Sequence, residues 1–339
     1  ISNALKKKGS SFEIVNSCFE LCRLETSELS IRKGSELVKR AVIKNVKQGE
    51  EWYDLYRKVL LFRAPYCFED YLIYLEIDRP PEERFYQPRR KVLKVVVEEL
   101  QALADDELDE LFVSMPPRVG KTTILMLFIT WIMGRDGEAS NLYSAFSAII
   151  TSAMYTGVLE VVTDSYTYNW KKVFNNSGIA NTDAKKETID IDRKKRYPTL
   201  TCRSLYGTLN GACDCSGYLI SDDLIGGIEE ALNKDRLMNA WSKVTNNLIP
   251  RTKQFAKKIW IGTRWSLIDP AGLRMDFLQN NEEGKKVRFK IINLPALNEN
   301  DESNFDYDYN VGFNTDYYKQ LRAQFERNND MASWQAQYM

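Results

Sequence analysis

Three short stretches of this 339-residue chain place lysine, hydroxyl and carboxylate side chains shortly after apolar runs. They are Gly120-Lys121-Thr122, Asp222-Asp223 and Thr263-Arg264. Side chains of these types can bind a nucleoside triphosphate, hold its magnesium ion and orient an attacking water. The three stretches therefore indicate phosphoryl chemistry, provided that the fold brings them to one place.

The first stretch has the layout of a phosphate-binding loop, with an apolar strand at 111–114, a turn rich in proline and glycine, and an apolar helix at 124–133. Backbone N–H groups at a helix N-terminus lack intrahelical partners and can wrap a polyphosphate. We expect Lys121 to reach the β- and γ-phosphates and Thr122 to ligate Mg²⁺. The expected nucleotide-binding residues of this loop are Pro117, Arg118, Val119, Gly120, Lys121, Thr122 and Thr123.

The glycine-lysine-threonine pattern does not settle the function of the loop alone. Met115 stands where the first glycine of the G-x-x-x-x-G-K-[ST] consensus belongs, and a chance tripeptide remains the alternative. The acidic pair is an independent signal, because the carboxyl ends of parallel strands meet at one edge of a sheet. Asp222 is expected to hold Mg²⁺ through water and Asp223 to polarise the attacking water. The alternative for this pair is a solvated turn or a helix cap.

The elements that must position these stretches alternate between strand and helix patterns. Apolar runs at 141–146, 217–223 and 257–262 predict further strands. Two alternating runs, at 188–192 and 199–204, predict a hairpin. Since the main strands are apolar throughout, we expect an α/β fold with a mainly parallel sheet covered by helices on both faces.

The chain divides by pattern into two parts. Residues 1–84 have the apolar spacing of short amphipathic helices and predict a helical N-terminal appendage whose chemistry the sequence does not reveal. The phosphate-loop domain is expected over 85–339 and opens with a helix that has proline in its first turn. At that point Tyr86 can stack on an adenine base and Gln87 can read it with its amide. The alternative is a glutamine at a helix N-terminus with no such role.

Composition excludes several classes of enzyme. There is no histidine, which removes Ser-His-Asp and Cys-His catalysis and His-ligated zinc. The six cysteines form no C-x₂-C pair and are expected to be free, reduced thiols. The 47 basic and 47 acidic side chains cancel, so a nucleic-acid surface must come from local clustering. We expect a cytoplasmic chain with no membrane span or signal peptide, and the first residue, Ile1, indicates a fragment.

Three segments in order, followed by a closing one, make a more specific pattern. They are Met115-Pro-Pro-Arg-Val-Gly-Lys-Thr122, Leu205-Tyr-Gly-Thr-Leu-Asn-Gly211 leading into Tyr218-Leu-Ile-Ser-Asp-Asp-Leu224 and Glu229-Glu-Ala231, Ile259-Trp-Ile-Gly-Thr-Arg-Trp265 with Asp269, and Trp334-Gln-Ala-Gln-Tyr338. Together they resemble the ATPase domain of the large terminase subunit of tailed bacteriophages, the DNA-packaging motor. That family uses a proline-rich, arginine-containing phosphate loop in which the first glycine is absent. The resemblance covers about residues 85–339.

The resemblance implies a RecA-like P-loop ATPase of the additional-strand class that uses ATP and Mg²⁺. The implied activity is ATP hydrolysis that drives double-stranded viral DNA into a procapsid, in the host cytoplasm. The implied partners are DNA, a portal protein and a small terminase subunit, with a homo-oligomeric ring on assembly and a monomer as the alternative in isolation. The acidic strands of the family's nuclease domain would have to follow Met339, so no DNA cleavage is expected from this chain.

Two arginines are candidates for stabilising charge on the γ-phosphate. By resemblance, Arg135 would act across a subunit interface and Arg118 would sense the nucleotide state. The alternative for Arg135 is an ordinary surface arginine. Thr263 is expected to feel the loss of the γ-phosphate and to pass that change to the helix that begins near Asp269. Alternatively, Arg264 pairs with the acidic pair and only stabilises the site.

Contact with DNA is expected at the tip of the hairpin, where four basic residues follow one another. They are Arg193, Lys194, Lys195 and Arg196. Four cations in one turn can neutralise several phosphates without reading bases, which suits packaging of any sequence. The alternative is a solvated turn.

Other classes of protein remain as rivals. A helicase or another nucleic-acid translocase would need a second RecA-like domain, and the ~70 residues after Thr263 are too few for one. A small-molecule kinase also uses a phosphate loop, but an acidic pair at a strand end is less expected there. A non-catalytic scaffold would not need Lys121, Thr122 and the acidic pair.

Overall fold

The computed structural model describes residues 1–2, 5, 11–209, 211 and 213–339. Its strands are β1 (Glu110–Ser114), β2 (Asn141–Ala145), β3 (Ile179–Asp183), β4 (Thr188–Ile191), β5 (Leu200–Ser204), β6 (Tyr218–Asp222), β7 (Lys257–Gly262) and β8 (Phe289–Asn293). They form one sheet in the order β3-β4-β5-β2-β6-β7-β1-β8. From β5 to β8 every neighbouring pair is parallel, whereas β3 and β4 form an antiparallel edge.

Helices precede the sheet and connect its strands. They are α1 (Phe12–Arg23), α2 (Glu28–Asn45), α3 (Glu50–Arg63), α4 (Phe68–Leu75), α5 (Tyr86–Ala104), α6 (Lys121–Arg135), α7 (Ala148–Thr163), α8 (Trp170–Val173), α9 (Ile228–Ala231), α10 (Lys234–Lys243), α11 (Pro270–Asn280), α12 (Thr315–Arg327) and α13 (Met331–Tyr338). The expected α/β architecture with a mostly parallel sheet is therefore confirmed.

Alternate residues of the central strands enter two different apolar cores. Leu111 and Val113 of β1 pack into a core shared with α4, α5, α6 and α7. Phe112, between them, packs into a second core with Trp260 and with residues of α10 and α11. Because successive side chains of a strand point to opposite faces, both faces of the sheet are covered. This explains why these strands read as continuous apolar runs.

The N-terminal helices are joined to the sheet domain through buried contacts. Helices α1, α2 and α3 share a core of their own, but Phe68 of α4 packs edge-on against Phe128 of α6, with ring centroids 5.2 Å apart. The indole of Trp131 donates a hydrogen bond to the Ala64 carbonyl at 2.9 Å. The boundary expected between residues 84 and 85 thus crosses a continuous core. Within the expected appendage, residues 3–4 and 6–10 lie outside the described residues.

The link between α2, α3 and α4 is also ionic. Asp70 is fully buried and accepts hydrogen bonds from Lys39 at 2.7 Å and from Arg63 at 2.5 Å. Removing one partner of such a group would leave an uncompensated buried charge. No helix in the described part of the chain combines the length and the apolar character needed to cross a lipid bilayer.

Candidate functional site

The loop between β1 and α6 has the backbone expected for a tight approach to a ligand. Gly120 caps α6 with a φ of 108°, a conformation that favours glycine. A Cβ added there would lie 2.8 Å from the ring of Phe85, so a larger residue has neither the backbone freedom nor the space. Arg118 also adopts a positive φ of 66°. The first N–H groups of α6 consequently face the loop.

Lys121 lies at the centre of the site and is 6% exposed. Its ammonium group donates hydrogen bonds to the Met115 carbonyl and to the Thr263 hydroxyl, both at 2.9 Å. The carboxylate of Asp223 lies 3.9 Å away. Two neutral groups thus orient the Lys121 side chain toward the loop, and the Asp223 carboxylate lies beyond hydrogen-bonding distance from its ammonium group.

Asp222 ends β6 and is completely buried. One carboxylate oxygen accepts hydrogen bonds from the Thr122 hydroxyl at 3.0 Å and from the Tyr143 hydroxyl at 2.8 Å. The other oxygen is buried without a hydrogen-bond partner among the described residues. Burial raises the pKa of Asp222 well above its usual range, and the nearby charge of Asp223 raises it further. A buried carboxylate oxygen without a partner calls for a cation or a water.

These groups fit a magnesium ion. A hydroxyl and a carboxylate are the oxygen ligands that this hard cation prefers, and it usually keeps water and substrate phosphate as its other ligands. In the parts of the chain that the structure describes, no three His, Cys, Asp or Glu side chains converge into a complete metal cage. Thr122 and Asp222 can therefore serve as a partial ligand set that a nucleotide and water would complete.

Asp223 links the ends of two strands. Its carboxylate accepts a hydrogen bond from the Thr263 backbone N–H at 2.8 Å, and its backbone has a φ of 40°. Gly262 leaves room for this contact, because a Cβ there would lie 2.8 Å from the same carboxylate oxygen. The side chain is one-third exposed, so the rest of the carboxylate faces the cleft.

An open cleft of about 660 Å³ lies beside these groups, a volume in the usual range for small-molecule sites. The buried Asp222 is not among its lining residues. The predicted residues that line it are Pro117, Arg118, Gly120, Lys121, Thr122, Thr123, Asp223 and Thr263. Val119 is buried behind the loop. The lining also includes Phe85, Arg89, Phe146 and Trp265, which the sequence argument did not select. The Tyr143 hydroxyl on Asp222 was missed in the same way.

Tyr86 and Gln87 do not reach the cleft. Tyr86 is buried and donates a hydrogen bond to Glu69 at 2.9 Å, while Gln87 accepts one from Arg84. Helical geometry explains the difference, because residues four apart share one face of a helix. Phe85 and Arg89 form the pair that faces the cleft. The expectation that Tyr86 and Gln87 read a base is therefore not supported by their positions.

Arg135 lies at the far end of α6 from the phosphate loop. It follows Lys121 by fourteen residues, on the order of 20 Å along the helix axis. Its guanidinium lies 4.6 Å from the ring centroid of Trp131 and 3.0 Å from the Glu28 carboxylate. Arg135 and this subunit's cleft are thus not brought together, and a role across a subunit interface stays a prediction.

Arg264 pairs with neither member of the acidic pair. It donates a hydrogen bond to Asp269 at 3.0 Å, and Asp269 in turn accepts one from the Gly272 N–H at 2.7 Å, capping α11. The alternative in which Arg264 stabilises Asp222 or Asp223 is therefore wrong. Arg264 instead ties the end of β7 to the start of α11.

The basic tip lies at the amino ends of the parallel strands, opposite the carboxyl ends where the candidate site lies. β4 and β5 form the expected antiparallel pair, and the turn between them precedes Leu200, which pairs with the first residue of β2. Arg193 is paired with Glu138, and Lys195 donates to the Ala139 carbonyl at 3.3 Å. Lys194 and Arg196 are exposed. DNA contact at this tip stays a prediction.

No known protein-family model matches the chain, and no curated protein matches it either. Its chemistry is therefore inferred from geometry. Lys121, Thr122, Asp222, Asp223 and Thr263 come from three separate stretches and meet at the carboxyl ends of β1, β6 and β7. In the glycine-containing segment 205–211, Asn210 lies outside the described residues.

Proposed function

We propose that this chain is an ATP-hydrolysing motor domain of the RecA-like, additional-strand class, acting in the packaging of double-stranded DNA. One observation carries the ATPase part of the proposal: five side chains from three distant stretches converge at one edge of a parallel sheet. The strand order supports the additional-strand class. β7 is an additional strand between β1, which precedes the phosphate loop, and β6, which precedes the acidic pair. Thr263 directly follows this additional strand and makes hydrogen bonds with both Lys121 and Asp223.

The charge of the cleft suits a polyphosphate. Arg89, Arg118 and Lys121 line it, against the partly exposed carboxylate of Asp223. Lys121 now donates to a carbonyl and a hydroxyl, and a phosphate oxygen would make a stronger, charge-assisted bond. Backbone N–H groups at the start of α6 would complete the cradle.

Thr122 and Asp222 would hold Mg²⁺ beside the phosphates. Bound there, the ion supplies neutralisation of the charge that develops on the phosphate oxygens. The Tyr143 hydroxyl donates a 2.8 Å hydrogen bond to the Asp222 carboxylate. This contact fixes the orientation of the carboxylate toward Thr122, so the Tyr143 hydroxyl is a positioning group.

Asp223 would orient the attacking water. One of its oxygens is fixed by the Thr263 N–H, and the carboxylate lies at the wall of the cleft near Lys121. A carboxylate held in this way can accept a proton from water as a general base. Holding a nucleophile in line is worth several orders of magnitude in rate.

A chain of contacts leads from the cleft to a helix. Thr263 touches Lys121 and Asp223, and the next residue, Arg264, binds the cap of α11. Loss of the γ-phosphate would therefore be felt at Thr263 and passed to a rigid element. This is the route by which we propose that hydrolysis becomes movement.

The DNA-packaging role rests on the resemblance of the four segments to large terminase subunits. Double-stranded DNA, a portal protein, a small terminase subunit, assembly into a ring and action at a procapsid in the host cytoplasm are all part of that proposal. The basic tip is its candidate DNA contact. A helicase-like translocase remains the nearest rival, and the DNA substrate that stimulates hydrolysis would separate the two.

The test is phosphate release from ATP at varied Mg²⁺, with and without duplex DNA. We expect Mg²⁺-dependent hydrolysis that duplex DNA stimulates more than single-stranded DNA does. Thr122→Ala should require more Mg²⁺ for half-maximal turnover, because a hydroxyl ligand is lost. Thr156→Ala, an exposed threonine on α7, is the matched control. Absence of ATP hydrolysis by the unmodified chain under all of these conditions would overturn the proposal.

A further inference from the structure

Arg89, on α5, lies against the phosphate loop. A Cβ added to Gly120 would lie 3.9 Å from Cδ of Arg89 and 2.8 Å from the Phe85 ring. The side chain lines the cleft together with Lys121. A guanidinium on this side chain is therefore within reach of any polyphosphate that the loop holds.

The partners of this guanidinium are neutral. It donates hydrogen bonds to the Phe85 carbonyl at 2.9 Å and to the Val311 carbonyl at 3.3 Å. It also lies 4.9 Å from the ring centroid of Phe85 and 5.7 Å from that of Tyr307. Among the described residues Arg89 forms no ion pair, and partial burial lowers its pKa. A half-buried cation without a carboxylate partner, beside an anion site, is placed to receive an anion.

The neighbouring residue shows that this arrangement is specific to one face of the helix. Arg90 also lies in the first turns of α5, but it points away from the cleft and binds the Glu69 carboxylate at 2.8 Å. The Arg90 side chain is about half exposed. The two arginines thus differ in partner and in position, and Arg90 provides a matched control.

The contact with Val311 connects Arg89 to a strained loop. In the segment 305–313, which we name the Val311 loop, Tyr309 and Asn310 adopt positive φ values of 61° and 55°. The loop is closed by a hydrogen bond from the Phe313 N–H to the Phe305 carbonyl at 2.8 Å. Non-glycine residues in this backbone region cost free energy and persist only where their surroundings hold them. Arg89 is one of the groups that hold this loop.

We propose that Arg89 is a nucleotide-binding residue that exchanges the Val311 carbonyl for a phosphate oxygen of ATP, so that nucleotide binding releases the Val311 loop. This inference rests on the proposed ATPase function. A charge-assisted bond to phosphate is stronger than the 3.3 Å contact with a neutral carbonyl. Arg89 would thus report occupancy of the cleft to the segment that precedes α12, within a single subunit.

Calorimetric titration of a non-hydrolysable ATP analogue and of AMP tests the binding step. We expect Arg89→Met, which keeps the bulk between the two rings, to weaken the ATP analogue about tenfold or more and to leave AMP unchanged. Arg89→Lys should recover part of the affinity because it restores a point charge. Arg90→Ala should bind like the unmodified chain. Equal affinity of the Arg89→Met variant and the unmodified chain for the ATP analogue would overturn the inference.

Hydrogen exchange of the Val311 loop tests the release step. The ATP analogue should increase amide exchange in 305–313 of the unmodified chain, and Arg89→Met should show that faster exchange without nucleotide. The four states compared are the unmodified chain and Arg89→Met, each with and without the ATP analogue. Equal exchange of the loop in all four would overturn the inference, even if ATP binds. Failure of the unmodified chain to bind the ATP analogue would instead overturn the ATPase proposal and this inference with it. Unchanged thermal unfolding of Arg89→Met is the control for folding.

Discussion

The two edges of the sheet carry charge in opposite ways. At the amino ends of the strands, Asp109 is paired with both Arg288 and Lys257 at 2.7 and 3.0 Å in exposed or half-buried surroundings. At the carboxyl ends, Asp222 is fully buried, with one oxygen unpartnered within the described chain, and Lys121 is bonded to neutral groups. The first edge is complete within the protein. At the second, one oxygen of Asp222 has no hydrogen-bond partner among the described residues, and we propose that a bound ligand supplies one.

The difference distinguishes structural from functional charge. Exposed ion pairs are satisfied by each other and by solvent, and each contributes little to stability. A buried and incompletely partnered carboxylate costs stability, so a fold that keeps one is expected to use it. Each of the following changes tests one side of this comparison.

A large loss of ATP hydrolysis is expected at the carboxyl ends of the strands, from Lys121→Ala. Loss of the ammonium removes the group that would hold the phosphates, so kcat/KM for ATP should fall by about 10² to 10³. Steady-state phosphate release measures this, with Lys172→Ala, an exposed lysine, as the control. An unimpaired kcat/KM in Lys121→Ala would show that Lys121 does not bind the phosphates of ATP.

At the amino edge, the basic tip should influence DNA rather than ATP. In the double variant Lys194→Ala, Arg196→Ala, the slope of log affinity for duplex DNA against log salt should fall by about two, one for each phosphate contact. Arg193→Ala should change it less, because Glu138 already neutralises Arg193. Titrations at two salt concentrations measure both slopes. Identical affinities and slopes would show that the tip is a solvated turn.

Asp222→Asn should abolish hydrolysis and yet stabilise the fold. Because the pKa of Asp222 is raised in the folded state, the ionised carboxylate destabilises that state. This penalty builds up as the pH rises from the unfolded pKa toward the raised folded pKa, and it is fully present above the folded value. We expect the variant to gain on the order of 1 kcal/mol near pH 8, and less near pH 5. Thermal unfolding at both pH values measures the gain. A loss of stability at pH 8 would contradict this description of the site.

The smallest effect is expected from Asp109→Asn. Arg288 and Lys257 lower the pKa of Asp109, so its contribution is present above the unfolded pKa and is lost as the pH falls through the lowered folded value. The partly exposed pairs should contribute at most about 1 kcal/mol at neutral pH. Chemical denaturation at pH 7 and pH 3 measures this. ATP hydrolysis should remain at the level of the unmodified chain. Its loss would contradict the claim that the charged groups at the amino ends of the strands are structural.

Sequence patterns predicted the parts of this structure that repeat a regular period. The run at 257–262 coincides with β7, and the strand expected at 217–223 is β6 with one residue fewer at each end. β8 escaped notice because it is five residues long and has a lysine in second position. The break between α9 and α10 at Asn233, whose side chain caps α10, was not predicted.

The sequence predicted which strand ends meet at the candidate site, but it did not predict all the side chains that line the cleft. The rule that parallel strands end at one edge placed Asp222, Asp223 and Thr263 near Lys121. The rotation of α5 decides that Phe85 and Arg89 face the cleft while Tyr86 is buried. That rotation depends on packing against Glu69 and the rest of the core, which no local pattern encodes. The salt bridge from Arg264 to Asp269 likewise depends on how α11 docks.

The central claim is that Asp223 orients the water while Lys121 and Thr122 bind the nucleotide. Asp223→Asn tests it most directly, because the amide keeps the shape of the side chain and the acceptor for the Thr263 N–H but cannot take a proton. Calorimetry and steady-state hydrolysis on this one variant should show ATP affinity within about threefold of the unmodified chain and a kcat reduced by about 10² to 10⁴. Undiminished turnover in Asp223→Asn would contradict the claim.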